Sequence, residues 1–307
     1  MRRLIWIPMV LLLFPLSDSF GQGTDRITEC SCVAFRLDDI QDYYLSQAQM
    51  EIISTFEARD TDLTIGVIGN HIGDDPTLVQ FLKDRLDSDR FELDIANHGW
   101  NHEDFALLTL QEQSDLLEMS NAKISEHLEV QPTTFITPFN RMNEDTIAAM
   151  LENDLRVVSA NVTGSYTPFV RNATDGALVY HFPTTAKTGD LNSDDTQWLG
   201  FGHEQTMTEI NDSIGRYGYA VVMMHPQEFA ARNGLEFQNA PDEDQLRELE
   251  LLLDSVHAEG HQVVTLSELS RTAIVPEFPV QVLVAAGSLA LLWFLGSYKR
   301  LVAGFWH

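Results

Sequence analysis

Short runs rich in β-branched and aromatic residues alternate with longer amphipathic stretches across residues 24–274. That alternation limits the possible folds more than any other feature, because strands alternating with helices build a mostly parallel sheet. The strand candidates are Val33–Leu37, Leu63–Ile68, Phe91–Ala96, Thr133–Thr137, Arg156–Asn161, Leu178–Pro183, Ala220–Met224 and Gln262–Leu266. Helical spacing covers Tyr44–Ala58, the stretch from Pro76 to Leu86, Leu107–Leu128, Asp145–Leu155 and Glu243–Ala258, the last stopped by Gly260. About seven or eight such units favour a barrel over an open sheet. A doubly wound sheet would want a glycine-rich turn after its first strand. That place holds Arg36-Leu37-Asp38-Asp39. The body therefore reads as one α/β domain, 24–274. Gly234–Glu243 reads as a solvated loop within it.

The ends differ from the body. Met1-Arg2-Arg3, an apolar run from Leu4 to Leu16 and small or polar residues through Gly23 read as a secretory signal over 1–23. From Val280 to Gly296 the chain is apolar apart from Gln281 and Ser288, and Lys299-Arg300 follow. This reads as a transmembrane helix with its end in the cytoplasm. The Pro276-Glu277-Phe278-Pro279 segment before it resembles the PEF-type C-terminal sorting signals of archaeal surface proteins. That resemblance implies cleavage and lipid anchoring of the 275–307 tail, with a plain membrane span as the other reading. The expected place is the extracellular face of the cell membrane.

Forty-six acidic residues against nineteen basic ones give a net charge of −27. Nucleic acid is excluded as a partner, since phosphate binding wants Lys and Arg. Cys30 and Cys32 are the only cysteines. A bridge over two positions is expected to be strained, and their oxidation state stays open. Asn161-Val162-Thr163, Asn172-Ala173-Thr174 and Asn211-Asp212-Ser213 are glycosylation acceptors in an exported protein. The sequence fixes no oligomeric state.

Polar residues collect where strands end, the active edge of a parallel barrel. They are Asp38-Asp39, Asn70-His71, the Asn97–His102 run, Pro138-Phe139-Asn140-Arg141 and His225-Pro226. His98 and His102, four apart, are expected on one turn of helix, where a single ion reaches both. One carboxylate of the Asp38-Asp39 pair completes a set with open positions, the catalytic kind. Adjacent carboxylates at a buried strand end repel each other, and a divalent cation relieves that cost. One of the two can then bind the metal while the other stays free to act as a base.

These motifs resemble the polysaccharide deacetylases, the NodB-like carbohydrate esterases. Phe35–Asp39 resembles the family's first motif, His98-Gly99-Trp100-Asn101-His102 its second, Phe135–Phe139 its third and Val222–His225 its last. The resemblance implies a distorted (β/α)7-type barrel. It implies one divalent metal, zinc, on Asp39, His98 and His102. Asp38 would be the general base, His225 the general acid, and the Phe139 N–H an oxyanion donor. Two departures follow. Gly99 replaces a Ser or Thr, and Ile136 stands where an arginine contacts the catalytic aspartate. Arg141 is a candidate substitute, and Trp100 is expected to pack beside the metal loop. Asp190, Asp194 and Asp195 are candidates for the carboxylate that tunes the acid histidine.

The resulting expectation is a metal-dependent hydrolase that removes N-acetyl groups from a cell-surface or extracellular glycan. The alternatives are hydrolysis of another C–N or ester bond, and a non-catalytic carbohydrate-binding surface protein. Retention of both Asp38 and His225 speaks against the last.

Overall fold

The computed structural model describes residues 30–161, 169–172, 178–193 and 197–272. The expected signal, the PEFP segment, the membrane helix and the basic tail lie outside the described residues. Among the described residues, no helix is long and apolar enough to cross a membrane.

The strands are β1 (Cys32–Ile40), β2 (Leu63–Val67), β3 (Leu93–Asn97), β4 (Thr134–Ile136), β5 (Val157–Ser159), β6 (Phe169–Asn172) and β7 (Leu178–His181), then β8 (Ala186–Lys187), β9 (Gly189–Leu191), β10 (Trp198–Gly200), β11 (Tyr219–Met224), β12 (Ala230–Asn233), β13 (Glu236–Pro241) and β14 (Gln262–Val263). The helices are α1 (Ser46–Ala58), α2 (Pro76–Leu86), α3 (Leu110–Leu128), α4 (Glu144–Glu152), α5 (His203–Tyr217), α6 (Glu243–Ala258) and α7 (Leu266–Thr272).

Parallel pairings run from β11 to β1 and on through β2, β3, β4 and β5. β5 then pairs with β7, at Val157↔Tyr180, and Asn161 bridges Thr184 just beyond. Immediately afterwards β8 pairs with β11, at Ala186↔Val222. One stretch, 178–188, is thus the neighbour of β5 at its start and of β11 at its end. β1 to β5, this stretch and β11 make seven staves of a curled, barrel-like α/β sheet. β6 adds an antiparallel strand on β7.

Strand residues alternate between two faces, and the two cores follow that alternation. On β1, Val33, Phe35 and Leu37 meet the helices, packing with Ile52, Ile53 and Phe56 of α1. Cys32 and Ala34 point the other way, into a smaller core with Ala96, Ile136, Val221 and Leu266. Arg36 and Asp38 share that inner face, further toward the strand's end. Apolar residues fill the barrel where strands begin, and polar ones gather where they finish.

Several elements differ from expectation. α3 begins at Leu110 because Thr109 and Glu112 form a capping box. α5 was not anticipated. Its buried face is Thr206, Met207, Ile210 and Ser213, so only two large apolar residues mark it. Gly234–Glu243 is no simple loop, since β13 pairs there with β12. The last strand is only Gln262–Val263, because Thr265 caps α7 by accepting from the Glu268 N–H at 3.2 Å. Cys30 and Cys32 form a disulfide.

Gly69, just after β2, lies against α3. A Cβ built there would sit 2.6 Å from the Ser120 Cα, backbone that cannot rotate away. Gly69→Ala is therefore expected to cost about 1–3 kcal/mol through overpacking. It would appear as a lower urea midpoint at unchanged m value.

Candidate metal and catalytic site

The site begins with an irregularity in β1. Leu37 pairs with Ile65 and Ile40 with Val67, so β1 spends an extra residue over this interval. Asp39 takes it up with φ 63°, in the left-handed region. Adjacent strand residues ordinarily face opposite ways, and a bulge re-aims one of them. Asp38 and Asp39 thereby line the same cleft.

His98 follows β3 and reaches Asp39 Oδ1 at 3.3 Å through Nε2. His102 Nε2 lies equally far from the same oxygen. The two histidines are not on a helix, contrary to expectation. They end an irregular loop that doubles back, with φ 77° at Gly99 and 62° at His102. This geometry explains Gly99: a side chain is disfavoured at that φ, and its Cβ would press on Pro138 Cγ at 3.2 Å. The loop is held by the Asn97 side chain, which accepts from the Gly99 N–H at 2.8 Å. Glu103 accepts from the N–H groups of Trp100 and Asn101.

Three donor atoms, one each from Asp39, His98 and His102, lie within 4.8 Å of one another. His98 Nδ1 is 2.8 Å from the Ile136 carbonyl, so it carries the proton and Nε2 turns its lone pair toward Asp39. That Nε2 is buried and makes no hydrogen bond among the described residues. A buried imidazole nitrogen aimed at a carboxylate and a second imidazole suits a divalent cation, and three protein ligands leave positions open. Gln227 donates to the other Asp39 oxygen at 3.3 Å. Burial alone would raise the Asp39 carboxyl, but the imidazoles around it, His98 foremost and then His225 and His102, hold it well below the usual carboxylate range. His102 is lowered, chiefly by burial and then by His98.

Asp38 is almost fully buried and its Oδ1 has no hydrogen-bond partner among the described residues. Its Oδ2 pairs with Arg36 at 3.1 Å and stands 3.9 Å from His225 Nε2. His225 closes β11, and its Nδ1 faces Glu228 at 3.1 Å across the turn opened by Pro226. Glu228 also accepts from Thr188 Oγ1. Burial opposes a charged His225, but the Glu228 hydrogen bond and the charges of Asp38 and Glu228 outweigh it, so its pKa is raised. Trp198 covers this ring, centroids 4.2 Å apart.

Two residues here were not anticipated. The guanidinium on Asp38 belongs to Arg36, two positions back on the same strand face. Arg141 instead pairs with Asp104 at 2.6 Å and is half exposed. The carboxylate on His225 is Glu228. Asp190 pairs with Lys187, and Asp194 and Asp195 lie outside the described residues. Phe139 lines the cleft with φ 55°, its ring against His102. Trp100 lies in the histidine loop, with Lys123 Nζ over its ring at 5.8 Å. The cleft encloses about 670 Å³.

His102→Ala is expected to weaken zinc binding more than about 100-fold, beyond the cost of losing an outer hydrogen-bond partner. Competition with a chelator of known affinity measures this.

The polysaccharide deacetylase family model matches residues 25–158. A comparison with curated proteins finds no match. Among solved structures, a candidate polysaccharide deacetylase from Mycobacterium smegmatis is similar at TM-score 0.59 and 15% identity, covering 80% of this chain and 91% of its own. A family 4 acetyl xylan esterase from Clostridium thermocellum, in complex with a cobalt ion, gives 0.51 and 16%, covering 78% and 89%. A CE4 family pseudoenzyme from Bacillus anthracis gives 0.52 and 13%, covering 78% and 65%. At these identities the structures speak to fold alone, and the fold agrees with the family model. The similarity to the polysaccharide deacetylase family thus rests on the match over residues 25–158.

Proposed function

We propose that the protein is a metal-dependent hydrolase that removes N-acetyl groups from a carbohydrate. The observation that carries this reading is the placement of Asp38 and His225 in one cleft with Asp39, His98 and His102. A pure binder has no need of a base and an acid flanking a ligand set, which separates this chain from a silent relative on the same fold.

Asp39, His98 and His102 hold the cation, which we take to be zinc. A bound divalent cation supplies Lewis acidity toward the acetyl carbonyl and lowers the pKa of water. Asp38, its Oδ1 unengaged, takes the proton from the attacking water. We assign the Phe139 N–H the role of oxyanion donor. His225, kept protonated by Glu228, gives a proton to the departing amine. Trp198 covers the His225 ring and limits water there.

We further propose that the protein is exported and tethered to the outer face of the membrane by its C-terminal segment. The Arg2-Arg3 and Leu4–Leu16 pattern supports export, and so does the Cys30–Cys32 disulfide, since disulfides persist in oxidising compartments.

Zinc-loaded protein is expected to release acetate from chito-oligosaccharides, and Asp39→Ala to release none. Acetate from acetylated xylan alone would make it an esterase, and acetate from neither substrate would sink the hydrolase reading. Asp38→Asn should lower kcat about 100-fold or more while zinc still binds.

The acid works only while protonated, so activity falls as pH rises through the His225 pKa. That pKa lies above the ordinary value of about 6.5. Glu228→Gln removes a cause of the rise. The basic limb of the kcat profile should then move to lower pH, with the acidic limb unchanged.

A further inference from the structure

Arg36 is fully buried, and its donors are spread over separate parts of the site. Nη1 donates to the Ser159 carbonyl at 3.1 Å and to Ser159 Oγ at 2.8 Å, on β5. Nη2 lies 3.1 Å from Asp38 Oδ2 on β1 and also donates to Asn140 Oδ1 in the turn after β4. That turn holds two successive residues in the left-handed region, Phe139 at φ 55° and Asn140 at φ 54°. For residues other than glycine such a conformation costs energy and persists only where the surroundings impose it. The backbone supplies part of the restraint: Asn140 N–H donates to Thr137 at 3.0 Å, and Asn161 N–H to the Asn140 carbonyl at 3.0 Å. The Asn140 side chain supplies more, accepting from Arg36 and donating to Met223 Sδ at 3.1 Å.

We infer that Arg36 is a positioning residue that locks the Asp38 carboxylate and the Phe139–Asn140 turn in one fixed relation, so that base and oxyanion donor are set together. The inference rests on the roles proposed above for Asp38 and Phe139. A guanidinium can do this because its donors form a rigid planar fork. A lysine ammonium presents its donors from one point and cannot span Ser159, Asp38 and Asn140. Within the described residues, Arg141 takes no part in this linkage, since its partner is Asp104.

The test combines kinetics with amide hydrogen exchange on the zinc-loaded protein. Arg36→Lys should lower kcat about 100-fold, the scale of a misplacement near 1 Å. KM and zinc affinity should stay within about twofold, as for a loss felt only in the transition state. Added guanidinium ion should restore part of kcat to Arg36→Ala, which a general loss of folding would not allow. If Arg36→Lys does not fold, Ser159→Ala removes a single acceptor and should lower kcat about tenfold. In exchange, Asp38→Asn loosens the far end of the linkage and should raise exchange at the Asn140 and Arg141 amides, as Arg36→Lys does.

Unchanged kcat in both Arg36→Lys and Ser159→Ala overturns the inference, and so does unchanged exchange at the turn in Asp38→Asn. Should the unaltered protein release no acetate, the proposed function falls, while the exchange measurement still decides the role of Arg36.

Discussion

Two neighbouring carboxylates that share one cleft pose the main electrostatic problem in this molecule. Like charges so close, and largely withdrawn from water, repel strongly. The bulge in β1 creates the problem by turning Asp39 to the side that Asp38 already faces. Each carboxylate then has its own answer. Asp39 is met by two imidazoles, and Asp38 by the Arg36 guanidinium. The surrounding loops follow from these pairings. The His98–His102 segment doubles back to bring both rings to one oxygen, and the turn at Phe139–Asn140 is held against the arginine. A cation at the first group and a proton moving through the second would keep the two charges chemically distinct.

Much of the fold was legible because strand alternation leaves a strong trace. Val33, Phe35 and Leu37 are apolar where β1 meets helices, and the aspartates mark its end. Helices α1, α2, α3, α4 and α6 were legible from their spacing. α5 was not, because hydroxyl and small side chains share its buried face. The β12–β13 hairpin was missed for a related reason. Half of strand β13, Glu236, Gln238 and Asn239, is polar and exposed, and Phe237 packs against Leu45, Ala48 and Ala230.

The convergence of Asp39, His98 and His102 was legible from spacing, but the reason expected for it was wrong. A helical turn was expected, whereas positive φ angles at Gly99 and His102 fold the loop. The supporting residues were harder. Arg36 left a usable signal, since residues i and i+2 on a strand share a face and a buried arginine needs an acid. Glu228 left less. Its approach to His225 depends on the tight turn begun by Pro226, and nothing in the spacing alone requires that turn. Both groups come from residues close in sequence to the ones they support, which shortens the chain that must be ordered to place them.

The stretch 178–188 has a double duty. Its early residues complete one edge of the sheet and its later ones complete the other. Thr184, Thr185, Ala186 and Lys187, which hold it there, also form a wall of the cleft. Seam and berth are the same piece of chain. New substrate preferences can therefore be reached here by exchanging side chains, whereas adding or deleting a residue would break register with two neighbours at once. Diversification of this wall is confined to chemistry at fixed length.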